Sequence, residues 1–254
     1  MEMFVSIAAF EEFDWRSAPA SSIHVPLTSG VIYVFVVISL HLLMRGRPGL
    51  SLRLVQACHN LTLSIFSLGL ALGTAIEVAR RSSREGALWL LCEDPSTKPT
   101  GALWFMSYVY YLSKYWELLD TVLQLLKGRP PPHFFLNVYH HAIVLLMAWG
   151  WVEYVQSLSF VGLLFNTSVH VVMYYYYFCR VLGWPVWWKR YVTQFQIVQF
   201  ATSALCYAAT LCLLAAGSEC AGCRAMAFNF IFNMTLLFQF VGVMRESRRA
   251  DKTA

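Results

Sequence analysis

The chain has 254 residues, of which 58% are hydrophobic and 13% are charged, and its mean hydropathy is +0.53. Soluble domains carry about 25% charged residues, so half that share excludes an ordinary soluble domain and predicts an integral membrane protein. The formal net charge of +5 comes from Lys and Arg residues scattered through short segments rather than gathered in one stripe, which argues against a nucleic-acid partner.

Seven apolar segments follow one another along the chain, each long enough to enter or cross a hydrocarbon core of about 30 Å. We predict transmembrane helices at residues 27–44, 54–78, 102–126, 134–151, 157–179, 191–216 and 226–244. A run of prolines at residues 130–132 separates the third segment from the fourth. The predicted fold class is therefore an all-α integral membrane protein. It has an extramembrane tail at 1–26, a seven-helix domain at 27–244 and a basic cytosolic tail at 245–254.

The charges of the connecting segments predict an orientation, because segments rich in Lys and Arg stay on the cytosolic side. Most of these residues lie on one side of the predicted helices: Arg45, Arg47, Arg53, Lys127, Arg129, Arg180, Lys189, Arg190, Arg245, Arg248, Arg249 and Lys252. The other side holds fewer: Arg16, Arg80, Arg81, Arg84, Lys98 and Arg224. We therefore predict an N-terminus outside the cytosol and a C-terminus inside it, although the Arg80–Arg84 cluster runs against the rule. Residues 1–26 lack the basic and apolar regions of a cleavable signal peptide.

Three cysteines lie in segments that this orientation places outside the cytosol: Cys92, Cys220 and Cys223. In an oxidising compartment Cys92 can form a disulfide bond with either Cys220 or Cys223, and both pairings stay open. The Cys220-x-x-Cys223 spacing is a weak zinc signal, because no second pair of ligands follows it. We predict no metal site.

The third predicted helix carries charged side chains at membrane depth, where ionisable groups are rare and suggest a functional site. Lys114, Glu117 and Asp120 follow one another at intervals of three residues, so they lie across one side of a helix. One cation between two carboxylates makes a network that partly neutralises itself. A structural clamp between helices explains such a network about as well as catalysis does, and we expect both roles, in which the network holds the imidazoles and shapes an aqueous entry.

The fourth predicted helix contains a pair of imidazoles. Asn137 precedes His140 by three residues and His141 by four, whereas the two histidines diverge by about 100° on a helix. One imidazole can then face a cavity while its neighbour binds another helix. Both can instead be satisfied structural histidines, but a pair with a third histidine on the next helix favours a function. The other histidines lie at or near predicted helix ends or in the tail: His24, His41, His59 and His133.

Polar stripes continue in the fifth and sixth predicted helices. Asn166, His170 and Tyr174 follow a helical spacing where contact with lipid would require apolar side chains. The sixth helix has a similar stripe: Thr193, Gln196 and Gln199. Amides can hold membrane helices together, but inward stripes on four helices predict a polar-lined chamber.

These residues together resemble the ELO family of very-long-chain fatty acid elongases, which are condensing enzymes of the endoplasmic reticulum. The resemblance covers the chain from about His59 to the C-terminus. Four motifs carry it, in family order: Lys114-x-x-Glu117-x-x-Asp120-Thr121, Asn137-x-x-His140-His141, Asn166-x-x-Val169-His170-x-x-Met173-Tyr174-x-Tyr176-Tyr177 and Thr193-x-x-Gln196-x-x-Gln199-Phe200. The departure is Asn137, where the family usually has His. An amide is neither a nucleophile nor a proton carrier, so this position serves orientation in an active enzyme; the alternative is an inactive or narrowed one.

The resemblance implies seven helices, six of which enclose a narrow tunnel for an acyl chain. It implies that a long-chain acyl-CoA and malonyl-CoA give CO₂, CoA and a 3-oxoacyl-CoA two carbons longer, without a further cofactor. In the ping-pong course proposed for the family, a histidine of the box carries the acyl group. By position this nucleophile is His140, with His170 facing it across the tunnel.

The other site residues receive roles from their chemistry. Donors for an enolate or oxyanion are expected from His141, His170, Asn137 and Gln196. Lys114, Glu117 and Asp120 are expected to orient a histidine and set its tautomer. CoA phosphates need cations at the cytosolic mouth, which predicts Lys189 and Arg190. Further substrate contacts are expected from Asn166, Tyr174, Thr193 and Gln199.

Two other functions fit parts of the pattern. A membrane di-iron oxygenase such as a desaturase also uses histidine boxes, but few histidines lie well inside apolar segments here and Asn137 weakens metal binding. A non-enzymatic seven-helix receptor or transporter fits the helix count but not the clustered ionisable groups. The expected partners are acyl-CoA, malonyl-CoA and the lipid bilayer of the endoplasmic reticulum. Other enzymes of the elongation cycle or a second copy of the chain are further candidates.

Overall fold

The named secondary-structure elements of the computed structural model are all helices. The structure describes residues 10–131 and 133–253, and of residues 247–253 it describes only the helical backbone. The α-helices of this part of the chain are α1 His24–Leu43, α2 Arg53–Glu85, α3 Ala102–Glu117, α4 Leu119–Leu126, α5 Phe134–Glu153, α6 Ser159–Leu182, α7 Lys189–Ala215 and α8 Cys223–Thr253. Because Leu118 alone separates α3 from α4, they make up seven helical segments, which follow the order of the seven predicted helices.

Within the described residues, five helices are long and apolar enough to cross a membrane: His24–Met44, Arg53–Glu85, Phe134–Glu153, Lys189–Ala215 and Cys223–Glu246. The protein is therefore a multi-pass membrane protein. The remaining segments are α6 and the α3–α4 pair. They carry most of the ionisable and polar stripes, and α3 and α4 have only 16 and 8 residues.

Helix α2 continues beyond its predicted end, to Glu85. Ion pairs at helical spacing account for the extension, because Arg80 binds Glu77 at 2.6 Å and Arg81 binds Glu85 at 2.8 Å. Both terminal nitrogens of Arg81 also donate to Glu93 at 2.6 Å. These carboxylates neutralise two of the arginines that run against the charge pattern used to predict the orientation.

A disulfide bond between Cys92 and Cys220 joins two loops at one end of the bundle, which we call the disulfide end. Four segments form this end: residues 10–23, 86–101, 154–158 and 216–222. In the first of them, Trp15 is buried and donates from Nε1 to the Glu153 carboxylate at 2.7 Å. Cys223 is a free, exposed thiol, so the structure has one of the two pairings that the sequence left open.

The opposite end, which we call the basic end, contains the loops after α1, α4 and α6. Arg53 donates from Nη2 to the Leu182 carbonyl at 2.8 Å, and Lys127 donates from Nζ to Oε1 of Gln56 at 3.1 Å. Two loops cross so closely here that a Cβ at Gly49 would lie 2.0 Å from the Lys127 carbonyl oxygen. Only glycine fits this crossing without moving the backbone.

Aromatic side chains fill the core between α3, α5 and α6. The ring of Tyr110 stacks on Trp151 with centroids 5.2 Å apart, and Trp104 meets Phe160 edge-on at 5.1 Å. Trp151 also lies against Gly162, where an added Cβ would be 2.9 Å from the indole. Helix α1 lies at the periphery, with large apolar side chains exposed along its length, as expected of a lipid-facing helix.

Removing the disulfide bond is expected to destabilise the disulfide end. Cys92→Ser breaks a link between residues 128 apart in sequence, and losing a native disulfide typically lowers the free energy of unfolding by about 2–5 kcal/mol. We expect a lower midpoint of thermal unfolding, measured by tryptophan fluorescence in detergent. Cys223→Ser is the matched control and should leave the midpoint unchanged. The same loss in both variants would contradict the prediction.

Candidate active site

The ionisable residues of the third predicted helix lie at the boundary between α3 and α4. The helical hydrogen-bond pattern is interrupted at Leu118, although its backbone stays right-handed helical with φ −57° and ψ −27°. Glu117 is therefore the last residue of α3, and Asp120 lies in the first turn of α4. The two carboxylates belong to two different clusters, each with its own histidine.

The first cluster, which we call the lysine cluster, consists of Lys114, Glu117, Asn166 and His170. Nζ of Lys114 donates to Oε1 of Glu117 at 2.6 Å and to Oδ1 of Asn166 at 3.1 Å. Nδ1 of His170 lies 3.4 Å from the same glutamate oxygen. Lys114 and Glu117 are 1% and 2% exposed, so neither charge can turn to water if its partner is lost. Oε2 of Glu117 has no hydrogen-bond partner among the described residues.

The second cluster, which we call the aspartate cluster, consists of His59, Asp120 and Tyr174. Nε2 of His59 lies 2.6 Å from Oδ1 of Asp120, and the Tyr174 hydroxyl donates to Oδ2 at 2.7 Å. The Tyr174 ring meets the His170 ring edge-on, with centroids 5.3 Å apart, so the two clusters touch. The expectation that one lysine serves both carboxylates is wrong as far as hydrogen bonds are concerned. Lys114 hydrogen-bonds to Glu117, whereas Asp120 hydrogen-bonds to His59 and Tyr174.

A narrow cavity between α5, α6, α7 and α8 has His140 in its wall. The space open to the centre of a water molecule is about 30 Å³, which is room for one or two waters. Amide and hydroxyl groups in the wall come from Asn166, Gln199, Ser203, Asn229 and Asn233. Because Asn166 also binds Lys114, it connects the lysine cluster to this cavity.

His140 makes no hydrogen bond to any residue that the structure describes. Its ring stacks on Phe232, with centroids 6.0 Å apart and planes 16° apart. Nδ1 is buried without a partner in the described part of the chain, so Nε2 is the nitrogen that can reach the cavity. Nδ1 of His141 is likewise buried without a partner among the described residues, so the cavity is what distinguishes His140 from its neighbour.

The other two residues of the histidine box point away from the cavity. His141 is buried and meets Tyr33 edge-on at 6.1 Å. Asn137 donates from Nδ2 back to the His133 carbonyl at 3.4 Å, within its own helix. The cavity lining contains His140 but neither neighbour, consistent with the angular divergence of adjacent residues on a helix.

The three polar residues predicted as one stripe on α7 have different surroundings. Gln199 lies in the cavity wall. Gln196 lies nearer the start of α7 than Gln199, with Nε2 3.5 Å from Sδ of Met173 on α6. Thr193 is half-buried in the first turns of the helix. The structure thus brings one of the three to the cavity.

The cations predicted to bind CoA phosphates lie at the basic end. Lys189 and Arg190 are the first residues of α7, and both are exposed. The Arg190 guanidinium lies 5.2 Å above the Tyr191 ring. The side chains of the basic tail after Glu246 lie outside the described residues.

Sequence reasoning missed three features of this site. His59 was assigned to a helix end, although its position inside the second predicted helix signalled a need for a partner. Tyr110, four residues before Lys114, places its ring 4.1 Å from the lysine nitrogen. Asn229 and Asn233 are amides four residues apart in the seventh predicted helix, and the reasoning applied to Gln199 would have found them.

Side chains able to bind metals are dispersed. Throughout residues 10–131 and 133–246, no group of three or more His, Cys, Asp or Glu side chains is arranged to hold a metal ion. Cys220 is engaged in the disulfide bond, so the Cys220-x-x-Cys223 spacing does not supply a free ligand pair.

Comparison with known proteins matches most of the chain to the family that its sequence motifs resemble. The model of the ELO family, described as the GNS1/SUR4 family, matches residues 18–251. A putative fatty acid elongase of Dictyostelium discoideum is 39% identical over 189 residues, which cover 74% of this chain and 63% of that protein. Fatty acid elongase sre1 of the same organism is 38% identical over 193 residues, covering 75% of this chain and 71% of that protein.

A mammalian relative gives a similar match. Very long chain fatty acid elongase 2 of Rattus norvegicus is 31% identical over 210 residues, covering 77% of this chain and 70% of that protein. Parts of each relative therefore have no counterpart in the aligned region. Because the family model nonetheless matches almost the whole chain, this protein belongs to the ELO family.

Proposed function

We propose that this protein catalyses the condensing step of fatty acid elongation, as a very-long-chain 3-oxoacyl-CoA synthase. The observation that carries the proposal is His140, an imidazole in the wall of a narrow cavity with no hydrogen bond to any described residue. Membership of a family with relatives named fatty acid elongases supports the same reaction. Asn137, which stands where the family usually has His, serves orientation in this scheme.

In the first half-reaction, Nε2 of His140 attacks the thioester carbon of a long-chain acyl-CoA. The carbon–sulfur bond breaks, an acyl-imidazole forms, and the imidazole proton leaves with the sulfur as the CoA thiol. An acyl-imidazole is a good acyl donor but hydrolyses readily, so water must be kept away from it. The narrow cavity and the Phe232 ring stacked on His140 support this requirement. Because the cavity has room for only one or two waters, it must widen to admit the acyl chain.

In the second half-reaction, malonyl-CoA loses its carboxylate as CO₂ and the resulting enolate attacks the acyl carbon. The carbon–nitrogen bond breaks, and the imidazole takes up one proton from solvent. Asn166 and Gln199, in the cavity wall, are the donors placed to stabilise the enolate or oxyanion. His141, Asn137 and Gln196 lie off the cavity and position their helices. The two steps balance without a cofactor.

The two clusters hold the histidines in defined tautomers. With Nδ1 of His170 directed at Glu117, that nitrogen carries the proton and Nε2 is left as an acceptor. Lys114 neutralises Glu117. Asp120 orients His59 in the same way that Glu117 orients His170.

His170 itself is not among the residues that line the cavity, so the prediction that it faces His140 has no direct contact behind it. In this scheme His170 acts through the lysine cluster, which Asn166 connects to the cavity.

The proposed setting is the endoplasmic reticulum membrane, with the N-terminus in the lumen and the basic end in the cytosol. Lys189 and Arg190 then meet the CoA phosphates where acyl-CoA and malonyl-CoA arrive. A disulfide bond at the opposite end suits an oxidising lumen. Other enzymes of the elongation cycle, or a second copy of the chain, are the proposed protein partners.

The test uses purified protein in two stages. Incubation with a long-chain acyl-CoA alone should release CoA and leave one acyl adduct on the protein, seen by intact mass. Addition of malonyl-CoA should discharge the adduct as 3-oxoacyl-CoA with release of CO₂. A protein that forms product without ever forming an adduct would contradict the covalent course, and one that forms no product with any chain length would contradict the function.

Trp151 is expected to limit the length of the acyl chain. It lies in the cavity wall about three helical turns beyond His140 on α5, which is about 16 Å. Trp151→Ala removes the indole from the far end of the cavity. When a mixture of acyl-CoAs of several lengths is offered with malonyl-CoA, we therefore expect a shift towards longer products, measured by chromatography of the 3-oxoacyl-CoAs. Trp187→Ala is the control, because Trp187 is 82% exposed at the basic end. An unchanged product distribution for Trp151→Ala would contradict the prediction.

A further inference from the structure

A group of polar side chains in the cavity wall is not used by the proposed reaction. Asn229 and Asn233 lie one turn apart on α8, and Ser203 lies on α7. Nδ2 of Asn233 donates to Oγ of Ser203 at 2.9 Å. This bond joins the two helices in the way that amides commonly join helices inside membranes.

Asn229 does not fit that explanation. It is 6% exposed, and its Oδ1 is buried without a hydrogen-bond partner in the described part of the chain. Burying an unpaired amide is unfavourable, and native proteins contain few such groups. The Ser203 oxygen accepts from Asn233, while its own proton has no acceptor among the described residues. The wall therefore offers one unused acceptor and one unused donor.

The position of these groups relative to His140 decides what they can contact. The Phe232 ring stacks on His140, and Asn229 lies about one turn from Phe232 towards the disulfide end, a distance of about 5 Å along α8. Asn233 directly follows Phe232 in the chain. The unused acceptor and donor thus lie close to the first few carbons of an acyl chain carried on Nε2 of His140.

We propose that Asn229 and Ser203 select acyl chains that carry a hydroxyl group on carbon 2 or carbon 3. A hydroxyl supplies one donor and accepts in return, which complements the unused pair. A plain methylene chain leaves both groups unpaired, and sites built to bind a substrate hydroxyl discriminate strongly against the analogue that lacks it. This inference rests on the proposed function, because it assigns the substrate class of that reaction.

The wild-type protein provides the first test. kcat/KM is measured with malonyl-CoA and four acyl-CoAs of equal length: hexadecanoyl, 2-hydroxyhexadecanoyl, 3-hydroxyhexadecanoyl and 16-hydroxyhexadecanoyl. We expect kcat/KM for at least one of the 2-hydroxy and 3-hydroxy chains to exceed that for the plain chain by about tenfold or more. The 16-hydroxy chain should fall below the plain one, because its hydroxyl lies far from Asn229.

The outcomes separate the two proposals. Elongation of the plain chain at a rate equal to or above both hydroxy chains would overturn this inference and leave the proposed function standing. A preference for all hydroxy chains regardless of position would also overturn it. Failure of all four, together with failure of a series of other chain lengths, would overturn the proposed function and the inference that rests on it.

A variant then assigns the preference to its residue. Asn229→Leu keeps a similar side-chain volume and removes the carboxamide, so the ratio of hydroxy-chain to plain-chain kcat/KM should fall about tenfold. Ile231→Leu, on the same helix with Ile231 64% exposed, should leave the ratio unchanged. A preference retained in Asn229→Leu would overturn the assignment, showing that another group or a bound water carries it. Should that variant fail to fold, Ser203→Ala is measured by the same ratio.

Discussion

His140→Ala is expected to abolish condensation, lowering kcat/KM by about a thousandfold or more, because it removes the group that we propose as the carrier of the acyl chain. His140 lies in the cavity wall with Nδ1 buried and no described partner. Its removal breaks no hydrogen bond that the structure describes. The loss should therefore appear in turnover rather than in the midpoint of thermal unfolding.

The readout for His140 has two parts. 3-Oxoacyl-CoA and CO₂ are quantified after incubation with acyl-CoA and malonyl-CoA, and the acyl adduct is sought by intact mass without malonyl-CoA. His24→Ala is the matched control, since His24 is exposed at the start of α1 and should retain full activity. An active His140→Ala, or one that still forms the adduct, would remove His140 as the nucleophile.

Lys114→Met is expected to destabilise the protein by about 3–5 kcal/mol, because it leaves a buried carboxylate without its counter-charge. Nζ of Lys114 is 2.6 Å from Oε1 of Glu117, and the two side chains are 1% and 3% exposed. The thermal midpoint of the purified variant in detergent should fall well below that of the wild type. Lys98→Met, in the loop before α3, is the control for loss of a lysine charge.

A double variant distinguishes a structural clamp from a catalytic group. Lys114→Met with Glu117→Gln removes both charges, so most of the lost stability should return. Activity should stay low, because an uncharged amide oxygen accepts from Nδ1 of His170 more weakly than the Glu117 carboxylate, which lies 3.4 Å from it. Recovery of full activity in the stable double variant would show that the pair is a clamp only.

The helical segments could be predicted from the sequence because apolar runs and a proline-rich break are local signals. The disulfide pairing could not, because Cys220 and Cys223 lie in or beside the same loop and either is within reach of Cys92 by sequence alone. The end of α2 was missed because its last turns are charged, so the apolar run ends before the helix does. The pairs Glu77–Arg80 and Arg81–Glu85, three and four residues apart, could have signalled the continuation.

The clusters were less predictable than the stripes. Spacing placed Lys114, Glu117 and Asp120 on one side of a continuous helix, but no glycine or proline marks the interruption at Leu118. The partner of Asp120 comes from His59 on another helix, and contacts between distant residues leave no periodic signal in one sequence. On α7 the sequence predicted too many site residues. Thr193 and Gln196 have the same regular spacing as Gln199, but only Gln199 lies in the cavity wall.

The two ends of the bundle are held together unequally. A covalent bond joins loops at one end, where Trp15 is also anchored to Glu153, whereas the other end has single hydrogen bonds such as Arg53 to Leu182. Weakly linked regions open at lower free energy than strongly linked ones, so the helices spread apart first at the cytosol-facing end in the proposed orientation. In the proposed reaction, a bulky nucleotide-bearing thioester needs such a motion to enter, and the elongated product needs it again to leave.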